Sequence, residues 1–87
     1  MSLILIERRE NKMERLIGVL KEINPDVDYE VVTNLIDGHY LDSLSILSLV
    51  ALLEEEYDIE IPTVEIIPSN FNSAEAILRL VERLEEE

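Results

Sequence analysis

The chain has 87 residues, 47% of them hydrophobic, and its 7 Lys plus Arg against 20 Asp plus Glu leave a net charge of −13. That length supports one small domain with a single core, and the charge excludes nucleic acid and anionic membrane as binding surfaces while favouring partners with basic docking surfaces. With no cysteine there is neither a disulfide framework nor a thiolate metal site, which fits a cytoplasmic protein.

The apolar run at residues 3–6 is far too short to cross a membrane, and it lacks the charged start and small-residue cleavage site of a secretory signal. Residues 1–7 read as a leader, either disordered or added for expression, to one domain spanning 1–87. Met13, Leu16, Ile17, Leu20 and Ile23 recur at the spacing of an amphipathic helix, which Asn24-Pro25 ends because the residue before proline avoids helical backbone angles. Residues 26–41 read as a long ordered loop with at most one helical turn. Val31, Val32, Leu35 and Ile36 are expected to pin it to the core, and Gly38 to permit the turn before Asp42.

A second helix is expected from Asp42 or Ser43 to Tyr57, with Ile46, Leu49, Val50, Leu53 and Tyr57 forming its core stripe. The same wheel turns Leu44, Ser48, Ala51 and Glu55 outward, with Leu47 and Leu52 on the flanks. So apolar an outer face reads as a docking surface, unless the first helix or the 26–41 loop wraps round and buries it. Asp58-Ile59-Glu60-Ile61-Pro62 breaks the helical pattern, and the stretch to Pro68 leaves room for only a short turn or helix, anchored by Phe71. Asn72 with Glu75 resembles a capping box that opens a last helix with Ala74, Ile77, Leu78, Val81 and Leu84 on its apolar face. These elements predict an all-α fold, a small bundle of three main helices and one short helix.

The segment with most chemistry is Leu41-Asp42-Ser43-Leu44. A serine in the first turn of a helix is exposed beside unpaired N–H groups and the positive end of the helix dipole, so a phosphate ester there sits in favourable electrostatics. Asp-Ser is also an ordinary helix start, worth about 1 kcal/mol as a cap. Further metal or catalytic constellations are missing: Glu54-Glu55-Glu56 fans round a helix and cannot converge on one ion, and Asp26-Val27-Asp28 lacks the remaining spacing of a calcium loop. His39 reads as a loop residue, with no nucleophile and base at readable spacing.

Asp42-Ser43-Leu44 at a helix start, the run through Glu54-Glu55-Glu56-Tyr57-Asp58-Ile59-Glu60-Ile61-Pro62, and Phe71-Asn72-Ser73 ahead of the last helix together resemble the acyl and peptidyl carrier protein family. The resemblance implies that Ser43 receives a 4′-phosphopantetheine arm from coenzyme A, with Asp42 and Leu44 beside it. It also implies that the arm's thiol carries an acyl or aminoacyl cargo as a thioester and that the domain is not itself an enzyme. The implied partners are a phosphopantetheinyl transferase and adenylating, ligase or acyltransferase enzymes. Docking is expected over Leu44, Leu47, Ser48, Ala51 and Glu55, the protein is expected to be a monomer, and no metal site is expected. Ser45 and Ser48 stand where fatty-acid synthesis carriers usually show acidic residues, and Gly38 lies further than usual from the Asp-Ser pair. With Asp37-Gly38 and Phe71-Asn72-Ser73, the chain looks more like stand-alone carriers of activated amino acids, including D-alanyl carriers. The contrasting expectation is an acidic helical interaction module that keeps the fold and is never modified.

Overall fold

The computed structural model describes residues 2–86, with side chains from residue 11 onward. Among the described residues the architecture is helical, with α1 at Ser2–Ile23, α2 at Ser43–Tyr57, a 3₁₀ turn at Thr63–Glu65, α3 at Pro68–Phe71 and α4 at Ala74–Glu85. Helices α1, α2 and α4 pack on one another and α3 closes against α4, which is the expected bundle of three main helices with one short one.

Helix α1 begins well ahead of Met13 and runs through residues 2–7. Leu16, Val19 and Leu20 are buried, with Met13, Ile17 and Ile23 packed against them. The helix ends at Asn24-Pro25, where the Tyr29 hydroxyl donates to the carbonyls of Leu20 at 3.0 Å and Asn24 at 2.7 Å. Burial of that phenol pushes its pKa up.

The connection to α2 is a chain of turns without a helix. Its anchors are Val27, Tyr29, Leu35 and Leu41, all buried, whereas Val31 is 70% exposed. The N–H groups of Val31 and Val32 both reach the Asp28 carbonyl, so the two neighbours sit on a tight turn and point apart. Only Val32 packs inward. Gly38 also acts differently from expectation: its own φ is not positive, and His39 takes the left-handed angle at φ 61. What Gly38 supplies is room, because a Cβ there would meet Asn34 Nδ2 at 2.7 Å and the Asn34 carbonyl at 2.8 Å.

Helix α2 has the expected bounds and buries Leu49, Val50, Leu53 and Tyr57, with Ile46 half-buried. It stops at Asp58, which adopts a left-handed conformation at φ 53 and returns its N–H to the Glu54 carbonyl. Tyr57 ties the helix to α1: its hydroxyl donates to the Lys12 carbonyl at 3.0 Å, and the Arg15 guanidinium lies 5.0 Å from the ring centroid. Phe71, 1% exposed, anchors the corner before α4.

At that corner the expected capping box is corrected. The N-cap of α4 is Ser73, whose Oγ accepts from the Ala76 N–H at 3.0 Å. Asn72 is drawn away by partners far off in sequence, described below. Helix α4 buries its predicted stripe and also Ala76 and Leu80, because it meets α1, α2 and α3 on different sides.

Candidate functional site

Asp42 has extended backbone, φ −93 and ψ −178, and its Oδ1 accepts the Ser45 N–H at 2.8 Å, which makes it the N-cap of α2. This hydrogen bond, with that to the Ser45 side chain, holds the Asp42 carboxyl below the ordinary 3.8. Ser43 is thereby the first residue of α2, exposed, and among the described residues its hydroxyl has no hydrogen-bond partner. The cap thus occupies the Asp42 carboxylate and leaves the serine oxygen open at the positive end of the helix.

Beside Ser43 lies a surface depression of about 530 Å³. Ile36, His39 and Leu41 from the loop form one wall and Ile66, Ile67, Pro68 and Phe71 the other, while Asp42, Ser43, Ile46 and Leu47 of α2 run along it. The sequence reading did not foresee Ile66 and Ile67 here. His39 shares the depression, but no hydrogen bond joins it to Ser43 among the described residues.

Asn72 joins the two walls. Its Oδ1 accepts from the Ile36 N–H at 3.0 Å and the Asp37 N–H at 3.2 Å, its Nδ2 donates to Asp37 Oδ2 at 3.0 Å, and its carbonyl accepts from the Leu35 N–H at 2.8 Å. Reading the sequence assigned Asn72 to local capping and missed this role. The available signal was two cap-competent residues, Asn72 and Ser73, side by side where a helix needs one.

Leu44, Leu47, Ser48, Ala51 and Glu55 are all exposed and share one face of α2. Neither α1 nor the 26–41 loop covers them, and of the apolar outer and flanking side chains only Leu52 packs against the core. The glutamates that follow diverge: Glu54 Oε2 accepts the Ile61 N–H at 2.9 Å, while Glu56 Oε1 accepts from Arg15 Nε at 3.0 Å. Among the described residues no group of carboxylates or histidine is placed to hold a metal ion, and no helix is long and apolar enough to cross a membrane.

A small helical bundle that presents an unengaged serine at a helix start, next to an apolar depression, has the form of a carrier domain. The chain matches the sequence model described as phosphopantetheine attachment site over residues 11–81, and it belongs to that family. No curated protein matches the chain. Domains of this family carry covalently attached 4′-phosphopantetheine and work with a phosphopantetheinyl transferase and biosynthetic enzymes. The residues present suit such a group, since an exposed hydroxyl, the positive end of α2 and an apolar trough are adjacent.

Proposed function

We propose that Ser43 is the attachment point of the arm and that the domain presents a cargo held as a thioester to partner enzymes. The observation that carries this reading is the Ser43 hydroxyl, exposed and unpartnered at the first turn of a capped helix. The arm supplies a thiol, which the chain lacks. Asp42 fixes where α2 begins, and with it the position of Ser43. Leu44 stands beside the attachment point. The dipole of α2 favours the phosphodiester, and the transferase activates the serine oxygen, no base among the described residues being hydrogen-bonded to it. Docking runs over Leu44, Leu47, Ser48, Ala51 and Glu55, which share the exposed face next to Ser43.

For the cargo we favour an activated amino acid, as in D-alanyl carriers, over a fatty acyl chain. An aminoacyl thioester keeps a cationic ammonium, which a domain of net charge −13 attracts, and the trough beside Ser43 lies open at the surface. An adjacent adenylating enzyme that charges the holoprotein with an amino acid supports this choice, and charging only by fatty-acyl enzymes overturns it. A carrier of this kind works as a monomer in the cytoplasm.

Incubation of the apoprotein with coenzyme A and a broad-specificity phosphopantetheinyl transferase, followed by intact mass, tests the site. The wild type gains one arm and Ser43→Ala gains none; no gain on the wild type, or equal gain on the variant, overturns the assignment. The neutral Ser45 and Ser48 favour one other reading, an unmodified interaction module. Homogeneous unmodified protein from the native host, still binding a partner, is the result that selects it.

A further inference from the structure

The depression beside Ser43 is poor in positive charge. The sequence has no lysine or arginine between Lys21 and Arg79, and of the residues that line the depression only His39 can become a cation. The negative side is fixed by the fold: the Asp42 carboxylate stands one residue before Ser43, and its hydrogen bond from the Ser45 N–H favours the ionised form. His39 itself is held by its backbone. Its φ of 61 is left-handed, an angle that a residue with a side chain adopts at a cost, whereas the neighbouring Gly38, which would take it freely, keeps an ordinary φ. The His39 N–H donates to the Ile36 carbonyl at 3.1 Å, and the Tyr40 and Leu41 N–H groups both reach the Leu35 carbonyl at 3.0 Å, so the turn is pinned on each side. The imidazole is left exposed, without a hydrogen bond among the described residues.

We propose that His39 is the positioning residue for the arm: its imidazolium pairs with the phosphodiester on Ser43 and keeps the arm against the trough. The pairing requires Ser43 to be the attachment point. A phosphodiester there adds a negative charge next to the Asp42 carboxylate, which already draws on the positive end of α2. A protonated imidazole lining the same depression offsets that crowding through a charge-assisted hydrogen bond. The other titratable groups around His39 are Asp37 and Tyr40 on its own loop, Asp42 at the head of α2 and Glu65 ahead of the far wall. Of these, Asp37 is bonded by Asn72 and Glu65 is paired with Arg83. Loss of the imidazole proton undoes the pairing. The contact is complete below the titration midpoint of the ring and disappears as pH rises through it, inside the range of about pH 5 to 8 where histidine changes charge.

The test uses the full chain, loaded with coenzyme A and a broad-specificity phosphopantetheinyl transferase, as wild type and as His39→Asn, because asparagine also accepts a left-handed angle. The arm brings the one phosphorus atom of the holoprotein, and its phosphodiester stays anionic over this whole range. Its phosphorus resonance is therefore indifferent to pH unless a neighbour titrates. In the wild type that resonance should trace a sigmoid with the same midpoint as the ring protons of His39, the sole histidine. The ring midpoint should also lie about half a pH unit or more above that of the apoprotein, a comparison that needs no variant. In His39→Asn the phosphorus resonance should stay flat. A flat resonance in the wild type, the same sigmoid in His39→Asn, or a ring midpoint unmoved by attachment overturns the pairing and leaves the attachment site standing. A wild type that takes no arm, or an arm that Ser43→Ala still accepts, overturns the attachment site and this inference with it.

Discussion

Removing the Asn72 side chain should separate the two walls of the trough while leaving the core whole. Asn72→Ala deletes three hydrogen bonds, to the Ile36 N–H at 3.0 Å, the Asp37 N–H at 3.2 Å and Asp37 Oδ2 at 3.0 Å, and keeps the backbone bond from Leu35. At roughly 0.5–1.5 kcal/mol net each, with the two at exposed Asp37 at the low end, the loss should come to about 2 kcal/mol. For a domain of this size that corresponds to a drop of roughly 8–16 °C in midpoint. Urea unfolding followed by circular dichroism measures it. Asn72→Asp should lose more, because it sets a second carboxylate against Asp37, and adding Asp37→Asn should recover most of the loss by restoring a donor and an acceptor in reversed order. A loss under about 0.5 kcal/mol for Asn72→Ala, or a double variant no more stable than Asn72→Asp, would refute the clamp.

Leu53→Ala, at a site with no exposed surface, should cost about 2–5 kcal/mol in the same unfolding assay, and Val50→Ala less. Gly38→Ala should destabilise by about 1–3 kcal/mol, since its Cβ would sit 2.8 Å from the Asn34 carbonyl, a backbone atom that cannot swing aside; a neutral effect would contradict this crowding. The cap at Asp42 should depend on acid in a defined sense. Its folded pKa is lowered by the Ser45 N–H, so the stabilisation is complete above the ordinary 3.8 and disappears as pH falls through the lower folded value. The Ser45 amide resonance should therefore titrate with a midpoint below 3.8 and stay flat in Asp42→Asn; a midpoint at or above 3.8 would argue against the bond.

Helices α2 and α4 were legible because their apolar residues keep a 3.6 period between clear boundaries, Asp58-Ile59 with Pro62 ending the first and the cap-competent pair Asn72-Ser73 opening the second. The start of α1 was not, since residues 3–10 hold no cap residue or breaker and the apolar stripe becomes regular only from Met13. Ser43 and the outer face of α2 follow from a helical wheel, and the structure leaves that face exposed. The far wall of the trough and the Asn72 clamp depend on residues meeting across more than thirty positions, as in the Asn72 to Asp37 bond with a separation of 35. No local pattern encodes such a meeting. Tyr29 is a similar case, since nothing in its neighbours along the chain announces that its hydroxyl meets the carbonyls at the end of α1.

The buried residues of α2 all fall between Leu49 and Tyr57, and the Tyr57 hydroxyl and the Arg15 side chain fasten that end to α1. Ser43 stands at the other end, roughly 22 Å away along a 15-residue helix. Leu41, just ahead of it, is buried and donates its N–H to the Leu35 carbonyl at 3.0 Å, and Ile46 packs on the core, so this end is moored as well. A pull on any group hung from Ser43 is therefore met by the whole length of the helix, and the load passes into the core without prying the bundle apart.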